Sequence, residues 1–174
     1  MRLAPLNIEK HFANALVWMN VAEVTEYLLV GDFPMGEIQE REFFEKMTGK
    51  TETDVVFAIE TLGGKHIGFS GLHGINFRHG FATSGTVLGI KEEWGKGYGT
   101  DAARVRSRYA FEVLGLRMVL SECFEGNERS LRMQKAVGYK EYGRCPKKFW
   151  KRGQYRDMIL TCLTREDWEL TKGG

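Results

Sequence analysis

Between residues 85 and 102 the chain reads Gly85-Thr-Val-Leu-Gly89-Ile-Lys-Glu-Glu-Trp94-Gly95-Lys96-Gly97-Tyr98-Gly99-Thr100-Asp-Ala102. This stretch constrains the fold more than any other. It reads as a strand over about 82–90, a glycine-studded turn, and the start of a helix over 98–114. Alternating glycines let backbone approach a ligand and turn N–H groups toward it. The first turn of the following helix adds unpaired N–H groups and a partial positive charge. Such a junction suits a phosphate.

Other phosphate loops do not match. A dinucleotide fingerprint opens the first βαβ unit and is answered by an acidic residue about 20 positions on. Here roughly half the chain comes first, although Glu122 falls near that position. A Walker loop needs Gly-Lys-Ser/Thr, but Lys96 is followed by Gly97 and Tyr98. The HRD and DFG strings of a kinase do not occur.

The segment resembles the acetyl-CoA pyrophosphate loop of the GNAT N-acetyltransferase superfamily, pattern Gln/Arg-x-x-Gly-x-Gly/Ala. Gly97 and Gly99 fill the glycine positions and Trp94 replaces the usual Gln/Arg, as is familiar in the RimJ/RimL branch. Asn127-Glu-Arg-Ser130 followed by Gly138-Tyr139 resembles that branch's Asn-x-x-Ser…Gly-Phe element. The branch includes ribosomal-protein N-terminal acetyltransferases and relatives acting on polyamines and other small amines.

Composition agrees with a packed enzyme-sized unit. The 174 residues are 43% hydrophobic and 28% charged, with a net charge of +2. That size predicts one domain, residues 1–174. Cys123, Cys145 and Cys162 form neither a CxxC pair nor a zinc set. With no secretion signal, an odd number of cysteines points to reduced thiols and a cytoplasmic location. His11, His66, His73 and His79 are scattered, so no metal site is expected. No apolar run reaches the length of a membrane span.

Helical periodicity predicts helices over 8–20, capped by Asn7, and over 37–48. Strands are expected at 54–60 and 66–73, joined by the turn Leu62-Gly-Gly-Lys65. After the loop and its helix, which Gly115 ends, come a strand at 117–124 and a helix at 128–137, capped by Asn127 and stopped by Gly138. Two strands, about 139–150 and 154–163, close the chain. The order, opened by a strand, is β-α-α-β-β-β-α-β-α-β-β, a mixed α/β fold. The resemblance implies the GNAT arrangement: a mostly antiparallel sheet with a splayed centre and helices on both faces.

The resemblance also implies the chemistry. Acetyl-CoA is the cosubstrate, and a primary amine, either a protein N-terminus or a small molecule, is the acceptor. Backbone amides of Gly95, Lys96, Gly97, Tyr98, Gly99 and Thr100 hold the pyrophosphate. Val87, Leu88 and Gly89 offer backbone to the pantetheine arm as an added strand would. Asn127 contacts the pantetheine amide. Ser130 lies near the sulfur, a candidate acid for the departing thiolate. Direct attack through a tetrahedral intermediate requires a neutral amine, oxyanion donors and a proton for sulfur. The chain departs from its relatives at two positions. Gln134 stands where many carry an acidic Tyr, and Phe149 stands where some carry Glu. Glu122, beside the splayed gap, is therefore the candidate base, with His73 the second.

Arg144, Lys147, Lys148, Lys151, Arg152 and Arg156 crowd the last hairpin with Phe149, Trp150 and Tyr155. Such interleaving suits a ribosomal or RNA-linked partner and fits a polyamine poorly, while the plainer reading of the same residues is a solvated hairpin whose aromatics complete the core. The alternative use of this surface is a non-catalytic acyl-CoA- or RNA-binding module on the same fold. Trp18, Tyr27 and Phe33 are candidates to wall the acceptor site. The resemblance implies a homodimer.

Overall fold

A computed structural model describes residues 1–49 and 51–171; the predicted domain end at 174 lies outside them. The alternating apolar residues at 55–60 and 66–76 form the antiparallel strands β2 (Val55–Glu60) and β3 (His66–Asn76), and Gly64 turns between them at φ +83°. Together with β1 (Arg2–Pro5), β4 (Phe81–Leu88), β5 (Met118–Phe124), β6 (Lys140–Lys151) and β7 (Gln154–Thr164) they build one seven-stranded sheet in the order β1-β2-β3-β4-β5-β7-β6. Among the described residues only the β4–β5 pair runs parallel. The expected mixed α/β fold is what the chain adopts.

Strand periodicity decides which helices cover which face. From Gly68 to His73, even-numbered β3 residues face α4 (Tyr98–Arg108): Leu72 shares a core with Ala103, Phe111 and Val119. Odd-numbered residues there face α1 (Ile8–Met19) and α3 (Glu37–Thr48): Phe69 meets Trp18 at 5.8 Å and Phe44 at 6.0 Å, both edge-to-face. The β2–β3 register shift inverts the pattern ahead of Gly68, setting His66 against Trp18 and Ile67 against Ala102. α5 (Glu128–Val137) lies beside α4. Asn7 and Asn127 cap α1 and α5 as predicted, accepting from Lys10 N at 2.9 Å and Ser130 N at 3.2 Å.

Three features depart from the expected elements. A short α2 (Ala22–Thr25) follows α1. The helix predicted to run to 114 widens into a π-helical segment at Tyr109–Val113. A terminal α6 (Arg165–Thr171) seats Trp168 on Phe111, ring centroids 4.9 Å apart.

Candidate active site

The parallel pairing of β4 with β5 stops at Ser84↔Ser121. Beyond it β4 stays with β3 as far as Leu88, and β5 stays with β7 as far as Phe124. The sheet therefore parts between its two central strands. Antiparallel ladders alternate the side on which a residue bonds. Gly89 N–H donates to Ile67 O at 3.0 Å, so Val87 and Gly85 also bond toward β3. An added Cβ on Gly68 would lie 2.1 Å from Val87 O, which agrees. Thr86 and Leu88 are left facing the gap. Trp94 Nε1 donates to the Leu88 carbonyl at 2.9 Å, and the Arg129 guanidinium stacks over the Trp94 ring at 4.2 Å. Trp94 thus ties the loop to the open strand.

The glycine loop lies along this gap. Gly95 and Gly97 have φ of +78° and +86°, so their backbone requires glycine. Gly99 is different. It is helical, and an added Cβ would meet nothing nearer than Leu88 Cδ1 at 3.9 Å. Neither backbone nor packing explains a glycine there. Open space beside the first helical turn does, if a phosphate fills it.

A cleft of about 1340 Å³ joins the gap, the loop and the ground beneath α1–α3. Of the residues singled out in the sequence, Val87, Leu88, Gly95, Gly97, Tyr98, Gly99, Thr100, Asn127, Ser130, Glu122 and His73 line it. Two expected binding residues do not. Gly89 lies under Trp18, where an added Cβ would fall 1.8 Å from Trp18 Cδ2; its glycine serves packing. Lys96 turns to Glu93 Oε2 at 2.9 Å, and Glu93 also binds Lys65 at 2.8 Å.

Glu122, the first candidate base, is paired with Lys148 at 2.7 Å. His73 Nδ1 lies 3.1 Å from Asp54 Oδ1. Ser130 Oγ accepts from Gln134 Nε2 at 3.1 Å, and Gln134 Oε1 accepts from Thr161 Oγ1 at 2.6 Å. The buried Gln134 therefore holds the serine in place. Burial pushes the neighbouring Cys123 thiol up, with a hydrogen bond from Ser130 opposing it.

Sequence reasoning missed Arg106. It is 2% exposed and donates from Nη1 to Ser70 Oγ, Gly85 O and Thr86 Oγ1 at 2.6–2.8 Å. No carboxylate among the described residues pairs with it, and its Nε has no partner. Nothing in the helical periodicity distinguished it from a solvated arginine. Glu40 on α3 was also missed. It is 5% exposed, it lines the cleft, and burial raises its carboxyl above the usual range.

The basic hairpin needs correction. Lys148 pairs with Glu122, Lys151 with Asp32 at 2.9 Å, and Arg144 with Glu125 and Glu141. Arg152 caps the Thr25 turn, and Arg156 stacks over Tyr27. Five of the hairpin's six cations are thus engaged within the chain, which leaves less free charge for a nucleic-acid-linked partner and less repulsion of a polyamine.

A parted parallel pair with a glycine loop at its mouth has the shape to take an extended, phosphate-bearing ligand. Residues 1–140 match the Acetyltransferase (GNAT) domain, and the chain belongs to that family. Over 79 residues, 45% of this chain and 43% of the relative, it is 34% identical to "Putative ribosomal N-acetyltransferase YdaF" of Bacillus subtilis (strain 168). Over 72 residues, 41% of this chain and 39% of the relative, it is 32% identical to Spermidine N(1)-acetyltransferase of Escherichia coli (strain K12). The matched stretches thus span less than half of these curated relatives. The fold is similar to that of spermidine N-acetyltransferase from Vibrio cholerae, solved in complex with CoA and spermine: TM-score 0.88, 18% identity, 97% of both chains covered.

Proposed function

We propose that this chain is an acetyl-CoA-dependent N-acetyltransferase acting on a primary amine. The observation that carries the reading is the parted β4–β5 pair, with the Gly95–Gly99 nest opening onto the same cleft. Backbone amides at 95–100 would hold the diphosphate, and Thr86 and Leu88 would offer backbone to the pantetheine arm. When bound, acetyl-CoA supplies an activated acetyl group. Asn127 keeps its side-chain amide for the ligand, since only Oδ1 is used as the cap. Gln134 steadies Ser130, which remains able to donate its proton toward the sulfur.

The acceptor side carries Glu23, Asp32, Glu40 and Glu122. Lys151 and Lys148 neutralise two of these. Glu23 and Glu40 have no cationic partner among the described residues. Carboxylates on an amine's path favour a small cationic acceptor, and the identity with the Escherichia coli enzyme supports the same reading. Trp94 and the Asn127…Tyr139 element support the RimJ/RimL type, with residues 1–174 as one acetyltransferase domain.

The test is free-thiol release from acetyl-CoA with a panel of amines: spermidine, aminoglycosides, amino acids and peptides with varied N-termini. Amine-dependent release is expected, strongest with cationic small molecules. Tight acetyl-CoA binding with no release for any amine would leave the non-catalytic module as the reading.

A further inference from the structure

On the α1–α3 face of the sheet, two glycines lie side by side at the point where it parts. Gly71 of β3 pairs with Gly85 of β4, and Gly85 is the first β4 residue beyond the last β5 partner. An added Cβ on Gly85 would touch nothing within 4 Å. The two make a floor without side chains, open to the cleft and adjoining the gap. His73 stands on the same face, two residues along β3. Its Nε2 lies over Gly71, where an added Cβ would come within 2.8 Å of it. A larger residue at 71 would displace the ring.

The ring is held from behind. β3 becomes irregular directly after His73, with Gly74 at φ +58°, and such interruptions re-aim a side chain. Asp54 meets His73 Nδ1 at 3.1 Å and also accepts from Thr53 Oγ1 at 2.8 Å and from the Gly74 backbone. Burial would raise the Asp54 carboxyl, but the bonds from Thr53 and His73 outweigh it and keep the group below its usual range. An ionised carboxylate only accepts, so Nδ1 carries a proton, and in the neutral ring the lone pair is then on Nε2, the nitrogen facing the cleft.

We infer that His73, oriented by Asp54, is the base that takes the acceptor amine's proton above the Gly71–Gly85 floor. The inference rests on the acetyltransferase reading. The neutral amine's nitrogen bonds to the acetyl carbonyl carbon to give the tetrahedral intermediate, whose collapse breaks the C–S bond. One proton passes from nitrogen to Nε2 and on to solvent, and the leaving sulfur takes one from solvent, directly or through Ser130, which regains it from solvent. Glu122 is a poorer base because Lys148 already pairs with it. The other titratable groups lining the cleft on this side are Glu40 on α3, Glu23 on α2, and Tyr27 and Asp32 just after α2, Asp32 being paired with Lys151; Arg106 lies beneath the sheet.

The experiment uses the full chain and the amine giving the fastest thiol release from the panel. His73→Gln is expected to lower kcat about 100-fold. It should also abolish the fall in kcat/KM on the acid side, leaving melting temperature and acetyl-CoA affinity unchanged. Asp54→Asn should lower kcat with KM held. In CoA-loaded protein, the His73 ring resonance should shift on adding that amine. Wild-type kcat with an intact acid limb in His73→Gln, or an unmoved ring resonance, would overturn the assignment while leaving the acetyltransferase reading standing. If no amine supports release by the wild type, the function and this inference fall together.

Discussion

Replacing Gly99 by alanine should raise stability and lower cofactor affinity in the same molecule. Gly99 is in the first turn of α4 without a positive φ. Alanine there restricts the unfolded chain and favours the helix, worth about 0.5–1 kcal/mol. The new methyl would meet Leu88 Cδ1 at 3.9 Å and Met133 Cγ at 4.0 Å, ordinary contact that adds no strain. The same methyl would fill the space where a diphosphate must approach the N–H groups at 95–100. Excluding or displacing it by a fraction of its hydrogen bonding should cost at least about 1.4 kcal/mol, tenfold in Kd. Gly97 is a poorer probe, because φ +86° makes any substitution strained whether or not a ligand binds. The assay pairs thermal melting of the free protein with calorimetric titration of acetyl-CoA. Gly99→Ala binding acetyl-CoA as tightly as the wild type would refute the placement of the phosphates.

Gly89→Ala should instead destabilise the free protein by about 1–3 kcal/mol, read by urea unfolding, because its methyl collides with the Trp18 indole. Arg106→Leu should cost about 2–4 kcal/mol, because Ser70, Thr86 and the Gly85 carbonyl lose their shared donor. Burial, and then the neighbouring His11, push His66 down to about 4. Because the unfolded chain binds that proton more readily, stability present above about pH 6.5 should be lost as pH falls toward 4, by about 3 kcal/mol. Urea unfolding across that range should show the slope, and His66→Gln should reduce it.

Local chemistry was legible in the sequence, and long-range compensation was not. The loop at 95–99 could be read because positive φ and close ligand approach both demand glycine within a few residues. Gly89 looked like part of the same pattern, but its reason is Trp18, seventy-one positions earlier in the chain. The hairpin cations looked free because Glu122 and Asp32, which pair with Lys148 and Lys151, are remote in sequence. The parting of β4 from β5 entered only through family resemblance, since strand alternation carries no sign of where pairing stops. The terminal α6 did have a signal that was passed over. Thr164-Arg-Glu-Asp167 is a capping pattern, and Thr164 Oγ1 accepts from Asp167 N at 3.1 Å. His73 was legible only as the second candidate base, behind Glu122, because what favours it comes from Asp54 and from two glycines on neighbouring strands.

The most direct measurement is a backbone-amide NMR titration of the full chain with acetyl-CoA. The amides of Gly95–Thr100, together with those of Thr86 and Leu88, are expected to shift most, in one saturating process. No binding at about 1 mM acetyl-CoA, or binding whose shifts cluster away from both the loop and the open edge of β4, would contradict the account.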